Sequence, residues 1–171
     1  LLYFGNCLSP LPIGYLMDAI GRKHAILSLT IIPLSSWTLI LFARHAYTLY
    51  VARFLAGIWS GTITTIAPMY LAEIAEPKVR GALSTFVQLN VGIGVMFEYV
   101  LGDLVDYYSL AALSNLFTFI FIMLFWNMPG SPYWLSMKDR DEEAAFSLAW
   151  LRGEHVHTER VDHEINELSL G

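Results

Sequence analysis

The chain has 171 residues, of which 56% are hydrophobic and only 15% are charged, and its mean hydropathy is +0.51. Soluble domains carry roughly 25% charged residues, so this composition excludes an ordinary globular surface. The net charge of −5 comes mainly from a solvated tail, because nine of the fifteen acidic residues follow Pro132, and we expect no nucleic-acid partner.

Five apolar runs are long enough to cross a membrane. A transmembrane helix needs about 20 mostly apolar residues, and in lipid a helix satisfies its own backbone hydrogen bonds. The runs lack the strict alternation of barrel strands, so we predict an all-α membrane protein. The predicted spans are residues 1–17, 25–43, 47–71, 82–102 and 110–128, which form a transmembrane bundle (1–128) ahead of a cytoplasmic helical segment (129–171).

The orientation of these spans follows from the positions of the basic residues. Cytoplasmic loops of membrane proteins carry an excess of lysine and arginine. Eight of the ten basic residues fall on one side of the predicted spans: Arg22, Lys23, Lys78, Arg80, Lys138, Arg140, Arg152 and Arg160. We therefore predict that this side, with the tail, is cytoplasmic. Because the chain opens inside the first apolar run, we expect a fragment or an incomplete gene model.

The first loop carries the spacing G-x-x-x-D-x-x-G-R-K. Gly14 permits close helix contact, Asp18 can pair with a cation, and Gly21 allows a sharp reversal ahead of Arg22 and Lys23. A glycine followed by two basic residues alone could be simple positive-inside anchoring. The full spacing is more specific, and it resembles the signature loop between the second and third helices of the major facilitator superfamily.

The third span combines small residues with one charge inside the span. Gly57 and Gly61, with Ser60 and Thr64, predict a tightly packed internal helix. Arg53 lies about two turns inside the outer end, deep enough to need a partner. Glu98 of the fourth span is a candidate partner by depth alone, although either side chain could instead snorkel to the interface.

The loop after the third span places Glu73 and Arg80 at the edge of the membrane. Charges at that depth are costly unless they are paired, so they usually have a function. The pattern P-x-Y-x-x-E-I followed by R-G-x-L, which includes Gly81, closely resembles the loop between the fourth and fifth helices of sugar porters. This resemblance implies a part in a cytoplasmic gate.

The fourth span contains one amide that the resemblance assigns to the substrate. Gln88 follows the R-G-x-L pattern by five residues, as does the glutamine that faces the sugar in the fifth helix of sugar porters. An amide offers both donors and acceptors to hydroxyl groups. Val91 and Val95 lie on the same helix face and complete the predicted substrate-binding surface. The alternative is that Gln88 only bonds a neighbouring helix.

A proline-rich segment follows the fifth span. Pro129 and Pro132 end the helix, and aromatic residues follow at the interface. The segment resembles the sugar-porter pattern P-E-S-P-R-x-L, but Gly130 replaces the glutamate and Tyr133 replaces the arginine. Both departures remove charge from the cytoplasmic network.

The tail predicts a surface helix over residues 139–152, stopped by Gly153. Phe146, Ala149 and Trp150 share one side of it, which we expect to dock. A second short helix is predicted from Thr158. A metal site is disfavoured at the three nearby histidines, which have acidic neighbours and no cysteine: His155, His157 and His163.

In order, these patterns match the second to sixth helices of glucose-transporter-like sugar porters and the start of their intracellular helical segment. The phrases PYWL and LAWLRG resemble insect facilitated trehalose transporters. The resemblance implies a partial N-terminal helical bundle of the major facilitator superfamily, in the plasma membrane. It implies facilitated diffusion of a hexose or a disaccharide such as trehalose, with no enzymatic activity and no cofactor. The implied partners are the sugar, the lipid bilayer and a missing C-terminal half.

The implied mechanism is alternating access, in which two helical halves rock about a sugar at the midplane. Asp18, Arg22, Glu73 and Arg80 would hold the cytoplasmic side closed, supported by Gly14, Gly21, Lys23 and Gly81 around them. Three alternatives stay open: a proton-coupled symporter, a non-transporting sugar sensor and an inactive truncated product. A single half cannot enclose a sugar, so we expect no transport by this chain alone.

Overall fold

The computed structural model describes residues 1–76, 78–153, 156, 158 and 165. Every regular element in these residues is a helix, which confirms the all-α prediction. The helices are α1 (Leu2–Leu8), α2 (Pro10–Ile20), α3 (Arg22–Leu29), α4 (Ile31–Leu41), α5 (Ala46–Ile74), α6 (Arg80–Leu104), α7 (Tyr107–Trp126), α8 (Pro132–Met137) and α9 (Asp141–Arg152).

Four stretches are long and apolar enough to cross a membrane: Arg22–Leu41, which joins α3 and α4, and the helices α5, α6 and α7. Their ends lie within three residues of the predicted spans two to five. The first predicted span, residues 1–17, corresponds to two short helices, α1 and α2, separated at Ser9. Pro10 begins α2, where its missing amide costs nothing. The count of five spans and the division at residue 128 stay predictions.

Glycines bring α1 and α5 into close contact. A Cβ added at Gly57 would overlap the carbonyl oxygen of Leu2, and one added at Gly61 would overlap the hydroxyl of Ser9. A Cβ on Gly5 would lie 2.6 Å from the carbonyl oxygen of Phe54. Only the absence of side chains therefore lets the two backbones approach this closely, as the small residues of the third span predicted.

The opposite side of α5 is held by α4. The Ser36 hydroxyl donates to the carbonyl of Ala52 over 2.8 Å, and both residues are buried. Ala52 packs with Ile40 of α4 and Ala111 of α7. A second cluster at the other end of α5 joins α2, α3 and α5 through Ile13, Met17, Ala25, Ile26 and Ile66. The long helix α5 is thus the central element of the described bundle.

Helix α6 is different from the other long helices, because none of its 25 residues is buried. It contacts α5 and α7. Its large apolar side chains are exposed, including Phe86 (62%) and Met96 (63%). A helix with this composition needs lipid or further protein against it.

Helix α9 confirms the predicted surface helix of the tail, with its end at Gly153 in the left-handed region (φ 67°). The predicted docking side is correct for Ala149, which is buried, and wrong for Phe146 and Trp150, which are exposed. The buried side of α9 instead includes Ala144 and Leu148. Small side chains let α9 lie close to α8, where Ala144 packs with Trp134 and Leu135. The second predicted tail helix and the three histidines lie outside the described residues, apart from Thr158 and Ile165.

The expected close helix contact at Gly14 is also not found, since a Cβ there would meet no described atom within 4 Å. A Cβ on Gly81, for which no close contact was predicted, would likewise meet no described atom within 4 Å.

Gly57→Ala tests the close contact of α1 and α5. The added methyl has no room, so we expect a loss of about 1–3 kcal/mol and a fall of about 5 °C in thermal midpoint. Gly92→Ala is the matched control, because its Cβ would meet nothing within 4 Å. Size-exclusion analysis of heated, detergent-solubilised protein measures both variants. Equal thermal midpoints for Gly57→Ala and Gly92→Ala would refute the close contact of α1 with α5.

Candidate functional site

The candidate site lies where α2 turns into α3. Gly21 makes this turn with φ 87° and ψ 156°, and its amide donates to the carbonyl of Met17 over 3.0 Å. Residues with a side chain rarely adopt this positive φ. A Cβ on Gly21 would also lie 3.0 Å from the ring of Trp134. Glycine is therefore required here twice, by the backbone and by the packed indole.

Arg22 is the centre of the site, and it is only 6% exposed. Its Nε donates to Glu73 Oε1 over 2.9 Å, and its Nη1 donates to Asp18 Oδ1 over 3.2 Å. The Glu73 side chain is 11% exposed and that of Asp18 is 74% exposed. Solvent screens the Asp18 pair, so the Arg22–Glu73 pair contributes most. It joins the start of α3 to the end of α5.

One carboxylate oxygen of Glu73 has no hydrogen-bond partner among the described residues. Its Oε2 is buried and accepts no hydrogen bond from the described residues. An unsatisfied buried acceptor costs about 1–3 kcal/mol. The carboxylate can therefore take a further donor at the C-terminal end of α5.

Helix α8 covers the turn through Trp134. The indole Nε1 donates to the carbonyl of Asp18 over 3.2 Å, and the ring lies against Gly21. Ser131 caps α8, because its Oγ accepts the amide of Trp134 over 3.2 Å. Pro132 occupies the first turn, where a missing amide is harmless. Pro129 thus precedes α8 and Pro132 begins it, and this helix packs on the turn at Gly21.

Two further hydrogen bonds fix the segment before α8. The Tyr70 hydroxyl donates to the carbonyl of Pro129 over 2.7 Å, and the Ser147 hydroxyl donates to that of Gly130. Gly130 therefore takes part through its backbone, although the charge usual at this position is absent. These bonds connect α5, the segment and α9.

Arg152 joins the end of α9 to the end of α5. Its Nη1 donates to the carbonyl of Ile74 over 3.1 Å, and its Nε lies 3.7 Å from Glu76 Oε1. A cation at the C-terminus of a helix is favoured by the helix dipole. The patterns PYWL and LAWLRG contain Trp134 and Arg152, but neither residue was predicted to belong to the site. A tryptophan two positions after Pro132 was the available signal.

The other predicted gate residues lie apart from this cluster. Arg80 begins α6, is exposed and makes no ion pair with any described residue. Lys23 is half-buried and likewise makes no ion pair in this part of the chain. Roles for Arg80, Gly81, Lys23 and Gly14 in a gate stay predictions.

The predicted substrate residues lie on the exposed α6. Val91 and Val95 are 51% and 52% exposed. Gln88 is exposed and makes no hydrogen bond with a described residue, so its amide is available for a ligand. The described residues contain no cluster of three metal-ligating side chains.

Comparisons with known proteins agree on one family. The family model for sugar (and other) transporters matches residues 1–171. Sugar transporter ERD6-like 8 of Arabidopsis thaliana is 33% identical over 167 residues, which cover 98% of this chain and 36% of that protein. The facilitated trehalose transporter Tret1 of Culex quinquefasciatus is 34% identical over 152 residues, 89% of this chain and 29% of that protein. The chain thus spans about a third of the length of these curated relatives.

The fold matches solved structures of a transporter. The partially occluded inward-open xylose transporter XylE from E. coli superposes with a TM-score of 0.84 at 20% identity, covering 99% of this chain and 46% of that one. The proton:xylose symporter XylE with bound 6-bromo-6-deoxy-D-glucose gives 0.83 at 20% identity, covering 99% and 40%. The predicted all-α partial helical bundle is confirmed, and its fold is that of these transporter structures.

Trp134→Ala tests the cover over the arginine turn. Loss of a buried indole costs about 3–5 kcal/mol. Trp134→Phe removes the hydrogen bond to Asp18 and little of the packing, so we expect a loss of about 1 kcal/mol. Trp126→Ala is the control, because Trp126 is 67% exposed at the end of α7. Thermal midpoints in detergent rank the three variants, and a midpoint for Trp134→Ala no lower than that for Trp126→Ala would contradict the structure.

Proposed function

The chain belongs to the sugar (and other) transporter family, and from this we propose that it forms the N-terminal helical part of a carrier that moves a sugar across a membrane by alternating access. The buried ion pair of Arg22 and Glu73 carries the proposal. The resemblance to sugar porters found in the sequence is confirmed by the family match. The protein is a multi-pass membrane protein, and we place it in the plasma membrane with residues 129–171 in the cytoplasm.

The ion pair suits a gate because it stabilises only those conformations of the carrier in which its two side chains are in contact. Breaking a buried pair by removing one partner costs about 3–5 kcal/mol, since a charge is left without compensation. Arg22 and Glu73 lie on different helices of the same half, so the pair holds the start of α3 against the end of α5, and a shift between these ends would weaken it. Such a pair stabilises one state of the carrier over another.

The spare oxygen of Glu73 supports a second contact in the closed state. Its Oε2 is buried and free of described donors, and a donor from another part of the carrier would satisfy it. The same part of the carrier would meet Arg80, which is exposed at the start of α6. We assign this contact to the C-terminal half of the carrier.

Helix α6 supports the position of the sugar. A sugar presents hydroxyl groups together with apolar carbon faces, and Gln88 offers an amide next to Val91 and Val95. All three are exposed on one face of a helix with no buried residue. Relatives named as trehalose transporters and a fold neighbour named as a xylose transporter favour a hexose, pentose or disaccharide.

Glu73→Gln in the full-length protein is expected to lower sugar uptake about tenfold or more, because it removes the buried charge that Arg22 needs. Asp103→Asn is the control, since Asp103 is an exposed carboxylate of α6 that makes no ion pair with a described residue. Uptake of radiolabelled glucose and trehalose at equal surface abundance compares them.

The direction of the change is a shift toward the inward-open state. A thiol reagent applied from the cytoplasmic side should label a cysteine introduced into the sugar cavity faster in Glu73→Gln than in the protein with wild-type Glu73. Normal uptake by Glu73→Gln, or an equal loss in Asp103→Asn, would count against the gate.

Gln88→Ala is expected to raise the KM for the sugar about tenfold, which corresponds to roughly 1.4 kcal/mol or about one hydrogen bond. Asn90→Ala is its control, because the Asn90 amide already donates to the carbonyl of Phe86 over 2.8 Å and lies on another face of α6. Concentration dependence of uptake gives both KM values. An unchanged KM in Gln88→Ala would exclude this residue from the sugar site.

A further inference from the structure

A groove of about 560 Å³ lies between α9 and the ends of two stretches that are long and apolar enough to cross a membrane, α7 and the joined helices α3 and α4. It is lined by Lys23 near the start of α3, by Met128 just after α7, and by Phe146 and Trp150 of α9. Because α3 begins and α7 ends here, the groove lies at the edge of the hydrocarbon, where phospholipid headgroups meet a membrane protein. We call it the α9 groove.

Contacts within the described chain hold the sides of the α9 groove together. The Ser147 hydroxyl donates to the carbonyl of Gly130, which ties α9 to the segment after α7. Ala144 of α9 packs with Trp134 of α8. The ring of Trp134 in turn lies against Gly21, at the start of α3. The three sides of the groove are therefore fixed relative to one another.

The side of α9 that lines the groove faces away from the end of α5. Phe146 and Trp150 are four residues apart, so they share one side of the helix, where they are 63% and 53% exposed. Arg152, which donates to the carbonyl of Ile74 at the end of α5, follows Trp150 by two residues and so lies about 200° around the helix from it. The contact that we assign to the C-terminal half, at Glu73, is therefore on the other side of α9.

The α9 groove carries charges of both signs. Lys23 supplies a positive charge, and Glu142 and Glu143 supply negative charges. Glu143 is paired with Arg140, whose Nε donates to its Oε1 over 2.7 Å. Glu142 is exposed and lies one turn before Phe146 on the same side of α9. A lysine is a common binder of phosphate, and carboxylates and aromatic rings attract cations. The groove therefore suits a ligand that carries both a phosphate and an amine.

An apolar surface continues from the groove along α3. Lys23 also lines a second groove, which it shares with Ile20, Leu27 and Trp126. Leu27 follows Lys23 by four residues on the same side of α3, and Trp126 is the last residue of α7. Tryptophan is enriched at the level of the headgroups. Lys23 thus stands between a groove with polar and charged groups and an apolar surface, as the phosphate of a phospholipid stands between its amine and its acyl chains.

We propose that the α9 groove binds the headgroup of a zwitterionic phospholipid, with the phosphate on Lys23, the amine at Glu142 and the rings of Phe146 and Trp150, and the acyl chains along α3 and α7. This site goes beyond the proposed sugar transport and does not rest on it. It uses only the position of the groove at the end of the membrane-crossing stretches and the charges that line it.

The test places the photoreactive amino acid p-benzoylphenylalanine at position 146 of the full-length protein, so that an aromatic ring stays in the groove. The protein is held in nanodiscs with equal parts of phosphatidylcholine, phosphatidylethanolamine and phosphatidylglycerol. After irradiation, mass spectrometry identifies what is attached to the peptide that contains position 146. The more strongly attached zwitterionic lipid should exceed phosphatidylglycerol, which has a phosphate and no amine, at least about threefold.

Two charge variants test the assignment of the headgroup. Lys23→Gln should lower the yield of the zwitterionic adduct about fivefold, because it removes the partner of the phosphate. Lys78→Gln is the matched control, since Lys78 is an exposed lysine that does not line the groove, and it should leave the yield unchanged. Glu142→Lys should reverse the preference toward phosphatidylglycerol, because it replaces the partner of the amine with a second cation.

An excess of phosphatidylcholine would assign the amine to the aromatic rings, and an excess of phosphatidylethanolamine would assign it to Glu142; both support the site. Attachment of position 146 to another peptide of the protein, or the absence of any lipid adduct, would overturn it. Lipid adducts in proportion to the mixture, a preference for phosphatidylglycerol with Glu142 intact, or equal yields in Lys23→Gln and Lys78→Gln would do the same. The readout is lipid attachment, so a failure of sugar uptake leaves the result unaffected.

Discussion

The buried ion pair between Arg22 and Glu73 is the interaction on which the end of the bundle around the turn at Gly21 depends. Apolar packing positions α2, α3 and α5, but it does not fix the turn at Gly21. The pair does so, because the guanidinium reaches across from that turn to the end of α5 over 2.9 Å. Trp134 of α8 covers this turn, with its ring against Gly21. Charge, backbone conformation and indole packing therefore support one another at a single point.

Two kinds of helix contact divide the bundle into a fixed part and an open part. Helix α5 is fixed by the glycine contact with α1 and by the Ser36 hydrogen bond from α4. Helix α6 has no buried residue, yet it carries Gln88 and Glu98. Polar groups on an exposed membrane helix are stable only against further protein, water or a ligand. The side of the bundle that bears α6 is thus the one suited to a moving partner and a sugar.

Much of this arrangement could be predicted from the sequence, and the limits have physical causes. Hydropathy placed the ends of four spans within three residues, because a long apolar run leaves few alternatives. Motif spacing placed Asp18, Arg22 and Glu73 at one membrane edge. It did not find the contact of Trp134 with Asp18, since the two residues lie 116 positions apart. The side of α9 was predicted only in part, because Ala144, a small residue with a weak hydrophobic signal, packs against α8.

The central claim is that Arg22 and Glu73 act as one unit. A double-mutant cycle tests it most directly, with thermal midpoints of Arg22→Gln, Glu73→Gln and the double variant measured in detergent. Each single variant leaves a buried group without its partner, so the double variant should be destabilised by clearly less than the two single shifts combined. Strictly additive shifts would contradict the account, because they would show that the two side chains stabilise the bundle independently.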